Sequence, residues 1–182
     1  MQRSHRFWLL SVLVFFAAVS RWVPHAPNFT PIMAMALFSG TFFRRWEYAL
    51  AVPFLGLLIS DLALGFHDQM VPVYISFGLA VGIGHWIGSR GDAVKTLAKR
   101  LPFGIVSSSL VFFLVSNFFV WAFAGMYPLT SEGFVQCYTM AIPFLHNELL
   151  GNLVFSSALF GSLYAVKFLA PQLWGRCEQS RA

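Results

Sequence analysis

The chain has 182 residues, 58% of them hydrophobic and only 10% charged, with a formal net charge of +5 and a mean hydropathy of +0.69. A water-soluble domain of that composition has too little polar surface to cover itself, so that class is excluded and lipid becomes the expected solvent. Nucleic-acid binding is excluded as well, because the twelve lysines and arginines are scattered along the edges of apolar segments and form no basic stripe.

The first apolar run, Phe7 to Val19, is bounded by Arg6 and Arg21 and stops at Pro24-His25-Ala26-Pro27. It has the length of a signal peptide, but Ala18-Val19-Ser20 is a poor cleavage pattern before Arg21 and further apolar segments follow at once, so an uncleaved first helix is expected. The second run, Thr30 to Phe43, opens with Thr30 as candidate N-cap and Pro31 at the first helical position. At 1.5 Å per residue it covers roughly 20 Å, against about 30 Å of hydrocarbon, and is either a short crossing or a helix dipping in beside an unwound stretch. Trp46–Phe66, Val71–Ile87, Phe103–Phe123 and Leu145–Leu169 each approach the ~20 residues that a spanning helix needs.

Charge orients these segments. Arg3, Arg6, Arg44, Arg45, Arg90, Lys95, Lys99, Arg100, Lys167, Arg176 and Arg181 fall on one side of a six-span topology, leaving Arg21 as the basic residue of the other, where Asp68 and Glu132 also lie. By the positive-inside rule both termini are cytoplasmic. The expectation is a single all-α transmembrane domain over residues 1–182, a compact bundle of six helices. Cys137 and Cys177 are separated by the bilayer, and neither they nor His25, His67 and His146 make a metal motif, so no metal is assigned. No cofactor is identified. No Gly-rich loop followed by Lys-Ser/Thr occurs, and no nucleophile and base stand at a spacing that forces them together, so no enzyme is expected.

The polar residues inside the apolar segments carry the functional information. Asp61, next to Ser60 in the third span, costs several kcal/mol if it faces lipid as a carboxylate, so it contacts a substrate or cation, or caps or ties together the outer helix ends through neighbouring backbone N–H groups or an arginine such as Arg21. Arg21 pairs with an outer acid or meets an anionic group of a substrate. Asn117 shares a helix face with Trp121 four residues on; an amide and an indole so placed suit a planar ligand, or Asn117 bonds a neighbouring helix. The connection from Gly125 to Pro143, with Tyr127 and Glu132, reads as a lid at the mouth of the bundle or as a surface helix starting at Ser131. His146-Asn147-Glu148 forms the densest polar cluster at the start of any span, and Glu148 and Asn152, four apart, can both face inward. Glu148 near a helix N-terminus is also a good structural carboxylate. Small residues recur as Gly78-x-x-x-Gly82, Gly84-x-x-x-Gly88 and Ser157-x-x-x-Gly161, a spacing that lets helices approach inside the fold or against a partner.

Arg21, Pro27-Asn28-Phe29-Thr30-Pro31 with Ala34 to Gly40, Ser60-Asp61-Leu62, Phe112-Phe113 with Ser116-Asn117-Phe118 and Trp121, Tyr127-Pro128 and Pro143-Phe144 together resemble a family of small bacterial integral membrane proteins of no established function. That family is similar, more distantly, to the substrate-binding S components of energy-coupling-factor (ECF) vitamin transporters. The resemblance implies a bacterial inner-membrane location, six helices with both termini inside, and a solute pocket near the outer ends. Many S components carry alanines four apart in the first helix to dock on a coupling protein; here Ala17 and Ala18 are followed at that spacing by Arg21 and Trp22.

The leading expectation is therefore binding and uptake of a small vitamin-like or planar solute through Arg21, Asn28, Asp61, Asn117, Trp121, Tyr127, Asn147 and Glu148. Membrane lipid and an ECF-type or other membrane protein are its expected partners. The alternative is an accessory or structural subunit that packs through its small-residue helix faces.

Overall fold

The computed structural model describes residues 8, 12–16, 19–88 and 93–169, with backbone alone at 93–98, 163, 166 and 167. Arg3, Arg6, Arg90, Arg176, Cys177 and Arg181, and with them both termini, lie outside the described residues, as do Ala17 and Ala18. Six helices and no strand occur among the described residues: α1, helical at 8, 12–16 and 19–20, then α2 (Ile32–Phe42), α3 (Trp46–Leu64), α4 (Met70–Gly88), α5 (Ala93–Phe123) and α6 (Ser131–Leu169).

The short segment becomes the centre of the molecule. Every residue of α2 is buried, and α2 touches α3, α4, α5 and α6. At 11 residues it is roughly 16 Å long. A helix sheathed in protein does not need the length that the bilayer demands of a lipid-facing one. It begins one residue later than expected: Pro31 occupies the N-cap, no side chain caps the helix, and the first helical bond runs from Met35 N–H to the Pro31 carbonyl. Thr30 is instead drawn into the preceding turn, where its N–H bonds the Asn28 carbonyl at 3.1 Å.

Close packing of α2 on α4 depends on glycine. A Cβ at Gly40 would collide with the Val81 carbonyl oxygen, one at Gly84 with that of Leu37, and one at Gly88 with that of Thr41. The Gly84-x-x-x-Gly88 pair is thus consumed inside the fold, with Thr41 Oγ1 donating to the carbonyls of Leu37 (2.8 Å) and Gly84 (3.0 Å) across the seam. Gly82 and Gly161 have open space beside them. Pro53 lies inside α3 and cannot bond the Ala49 carbonyl one turn back. Ser39 of α2 fills that gap, its hydroxyl donating to the Ala49 oxygen at 2.8 Å. This keeps a buried carbonyl satisfied and fixes α3 to the core.

The two longest helices exceed their expected spans. α5 starts at Ala93, ahead of Phe103, and carries Lys99 and Arg100 within the helix. α6 is a continuous 39-residue helix, about 58 Å long. The surface-helix reading has the right start at Ser131, but that helix does not end before Pro143; it runs through it into the last segment, so the loop shrinks to 124–130. Thr130 is the physical reason for the start: its Oγ1 accepts from Gly133 N–H at 3.2 Å and its carbonyl from Phe134 N–H at 2.9 Å. Glu132 sits in the first turn, its carboxyl held below the usual range by its own backbone N–H and by the hydroxyls of Thr130 and Ser131.

Three helical stretches, Trp46–Leu64, Met70–Gly88 and Lys99–Phe123, are long and apolar enough to cross a membrane. Their outward faces are aliphatic: Leu55, Leu58 and Leu62 on α3, Ile75 and Leu79 on α4, and Val106, Leu110 and Leu114 on α5 are all exposed. So much contiguous apolar surface is tolerated in lipid and not in water.

Candidate functional site

One end of the bundle carries segment 21–31 and the loops before α4 and α6, and two separate polar clusters form there. The first is built around Asp61, on the last turns of α3 and 1% exposed. Arg21, from the turn after α1, reaches it with a guanidinium that pairs with Asp61 Oδ1 and donates to Ser60 Oγ at 2.6 Å. Tyr74 of α4 donates to Asp61 Oδ2 at 3.1 Å, and the His67 ring stands 3.9 Å from Oδ1. Ser60 passes its own hydrogen to the Leu57 carbonyl at 2.8 Å. Segment 21–31, α3 and α4 are thereby tied together, and both carboxylate oxygens have partners.

The second cluster joins segment 21–31 to α5 and α6. Asn28, Ser116, Asn117 and Glu148, walled by Phe112 and Phe144, line a single crevice. Its volume of about 10 Å³ is that of one water molecule. Three backbone features bring these groups together. Asn28 takes a left-handed conformation, φ 64°, which an Asn tolerates better than most residues. Gly151 lets the chain at Phe29 and Thr30 lie 3.2–3.3 Å from where a Cβ would stand. The Phe29 ring packs on Phe155 at 5.6 Å, fastening the segment along α6.

Hydrogen bonding in this crevice is incomplete. Glu148 is 3% exposed and its Oε1 has no hydrogen-bond partner. Ser116 has already given its hydrogen to the Phe112 carbonyl (2.6 Å), and Asn117 donates an amide hydrogen to the Phe113 carbonyl (2.8 Å). Below Glu148 the polar lining continues between α5 and α6. Asn152, fully buried, directs its amide nitrogen at the Ile105 carbonyl (3.1 Å), Ser108 Oγ (3.0 Å) and Ser109 Oγ (2.9 Å), and its oxygen accepts from Ser156 at 3.1 Å.

The eight residues expected to bind a solute therefore divide. Asn28, Asn117 and Glu148 share the crevice; Arg21 and Asp61 form the ion pair. Trp121 lies apart: its Nε1–H bonds the Pro128 carbonyl at 3.1 Å and its ring packs edge-on against Phe134 at 5.2 Å, so it pins the loop before α6. Tyr127 and Asn147 are half-buried and line neither cluster. Cys137 is buried against α5, with its thiol 3.6 Å from the Asn117 carbonyl. Tyr74, Ser108, Ser109 and Ser156 did not stand out in the sequence. The adjacent Ser108-Ser109 and the four-residue spacing of Asn152 and Ser156 were the available signal. Among the described residues no group of three His, Cys, Asp or Glu side chains is placed to hold a metal ion.

No curated protein and no solved structure matches this chain. A family model does, over residues 1–173, that of a family of unknown function (DUF6580), and the chain belongs to that family.

Proposed function

We propose that this is a polytopic protein of the bacterial inner membrane, six helices with both termini in the cytoplasm, that binds a small vitamin-like or planar solute near its outer face and takes it up. One observation carries the reading: Asn28, Asn117 and Glu148, from three separate elements, converge on one crevice that contains a buried carboxylate oxygen with no protein partner. An ionisable group held inside an apolar bundle with one oxygen left unpartnered is a binding-site signature. The aromatic walls supply affinity for a flat ligand and the amides orient it. The crevice as it stands admits one water, so the solute enters when the segment around Asn28 lifts off Gly151 and Phe155. No catalytic step is assigned.

Native mass spectrometry of protein purified gently from its own membrane tests this. A stoichiometric small molecule is expected on the wild type and on Glu132→Gln, and is lost from Asn117→Ala and Glu148→Ala.

The accessory-subunit reading keeps one supporting observation. Gly78 and Gly82 border an outward apolar groove of about 630 Å³ between Trp46, Trp86 and Phe103, the geometry in which a partner helix or a lipid chain packs. Gly84→Leu breaks the fold itself, because the site faces the α2 backbone. Gly82→Leu is therefore the clean test. Loss of a co-purifying protein partner from a folded Gly82→Leu variant, with no small molecule on the wild type, favours this second account.

A further inference from the structure

Four polar side chains, Asn28, Ser116, Asn117 and Glu148, share the crevice with four apolar ones. Glu148 Oε1 is an acceptor without a donor. The Ser116 hydroxyl has only lone pairs left to offer, since its hydrogen lies on the Phe112 carbonyl. Asn117 also lines the crevice, and with Nδ2 donating to the Phe113 carbonyl its Oδ1 remains available as an acceptor. Asn28 lines the crevice from the facing segment, with an amide oxygen available to a ligand there. Such a set lacks positive charge, and a buried carboxylate without any is among the most unfavourable arrangements a protein interior can hold.

We infer that the crevice binds a small monovalent metal cation of the alkali type, held by Glu148 Oε1 and the side-chain oxygens of Asn28, Ser116 and Asn117. Hard cations take oxygen ligands from carboxylates, amides and hydroxyls, and this is the donor set on the page. The single carboxylate neutralises one positive charge; a divalent ion would leave a net charge in a medium of low dielectric. The volume, that of one water molecule, suits a bare ion and excludes an organic ammonium such as choline. An ion there bridges segment 21–31, α5 and α6, and so holds Asn28 down over Glu148. The inference rests on reading the crevice as a ligand site, as above, and not on the identity or existence of an organic solute.

The test is thermal unfolding of purified protein, shown by mass spectrometry to carry no small molecule, in sodium chloride against choline chloride at equal ionic strength. Saturating sodium is expected to raise the wild-type midpoint by about 5 °C, the size of shift that a ligand well above its Kd gives a chain of this length. Glu148→Gln abolishes the shift. Asn117→Ala keeps it but moves the sodium midpoint up by roughly tenfold, equivalent to the loss of one good ligand. Glu132→Gln, which removes an exposed carboxylate at the same end, leaves it intact. Identical wild-type midpoints in the two salts, as expected of a carboxyl that carries its own proton, overturn the inference, and so does a sodium shift that survives in Glu148→Gln. Because no solute is present, failure here leaves the solute reading standing, and a wild type that never yields a solute leaves the sodium measurement intact.

Discussion

Two carboxylates lie at the same end of this bundle, both almost fully buried, and they are treated in opposite ways. Asp61 is paired: a guanidinium, a phenol and an imidazole converge on it from three segments. Glu148 has an amide segment, a hydroxyl and an aromatic wall around it, and one oxygen with no partner. The same physical cost, a charge taken out of water, is met internally in the first case and left open in the second. The first therefore belongs to the structure, and the second is where an external ligand gains most.

Breaking the satisfied cluster has the largest expected effect. Arg21→Ala leaves Asp61, 1% exposed, with a phenol and a histidine ring, and is expected to lose about 3–5 kcal/mol of stability, or roughly 10 °C in thermal midpoint. Replacing the pair together by Arg21→Met and Asp61→Leu is expected to recover most of that loss, because no charge is then stranded. If the double variant is as unstable as the single, Asp61 has a role beyond pairing and the contrast fails. Next comes Asn152→Ala, which strips partners from Ser108, Ser109, Ser156 and the Ile105 carbonyl. A loss of about 1–3 kcal/mol is expected, since these buried groups have no water to turn to. Glu148→Gln is expected to change stability by less than about 1 kcal/mol, or to raise it, because an amide of the same shape carries no charge to desolvate. A loss as large as that of Arg21→Ala in any of these assays would place Glu148 among the structural carboxylates.

Much of this contrast was legible from residue type alone. Asp61, Asn117 and Glu148 are conspicuous because apolar helices rarely carry such groups, and Arg21 was the one base available on its side. What could not be read was contact. Asn28 meets Glu148 only because Gly151 lets the chain at Phe29 approach α6 and because Asn28 accepts a positive φ, neither of which leaves a periodic trace. The shortness of the Thr30–Phe43 segment was visible, but its complete burial depends on the three glycines that admit α4. The connection expected from Gly125 to Pro143 is shorter than proline suggests, because the helix capped by Thr130 carries through Pro143. Trp121 does share a helix with Asn117, yet its indole is occupied by the Pro128 carbonyl.

The smallest effect on stability separates the two regions best. Asn117 is half-buried, and its side-chain bond goes to the Phe113 carbonyl, an acceptor that the α5 backbone already serves through the Asn117 N–H one turn on. Removing the amide with Asn117→Ala strands no buried group, and the Cys137 contact, made to the Asn117 main chain, is retained. Under about 1 kcal/mol of destabilisation is expected. Binding should respond differently, because Asn117 is one of four polar side chains that line the crevice; affinity for whatever occupies it is expected to fall roughly tenfold. Asn117→Ala and Asn152→Ala, one amide each in neighbouring helices, then form a matched pair. If both destabilise equally, the polar groups from Asn28 to Ser156 are one structural network. If only Asn152→Ala does, the network ends at Ser109 and the crevice above it is held open for a ligand.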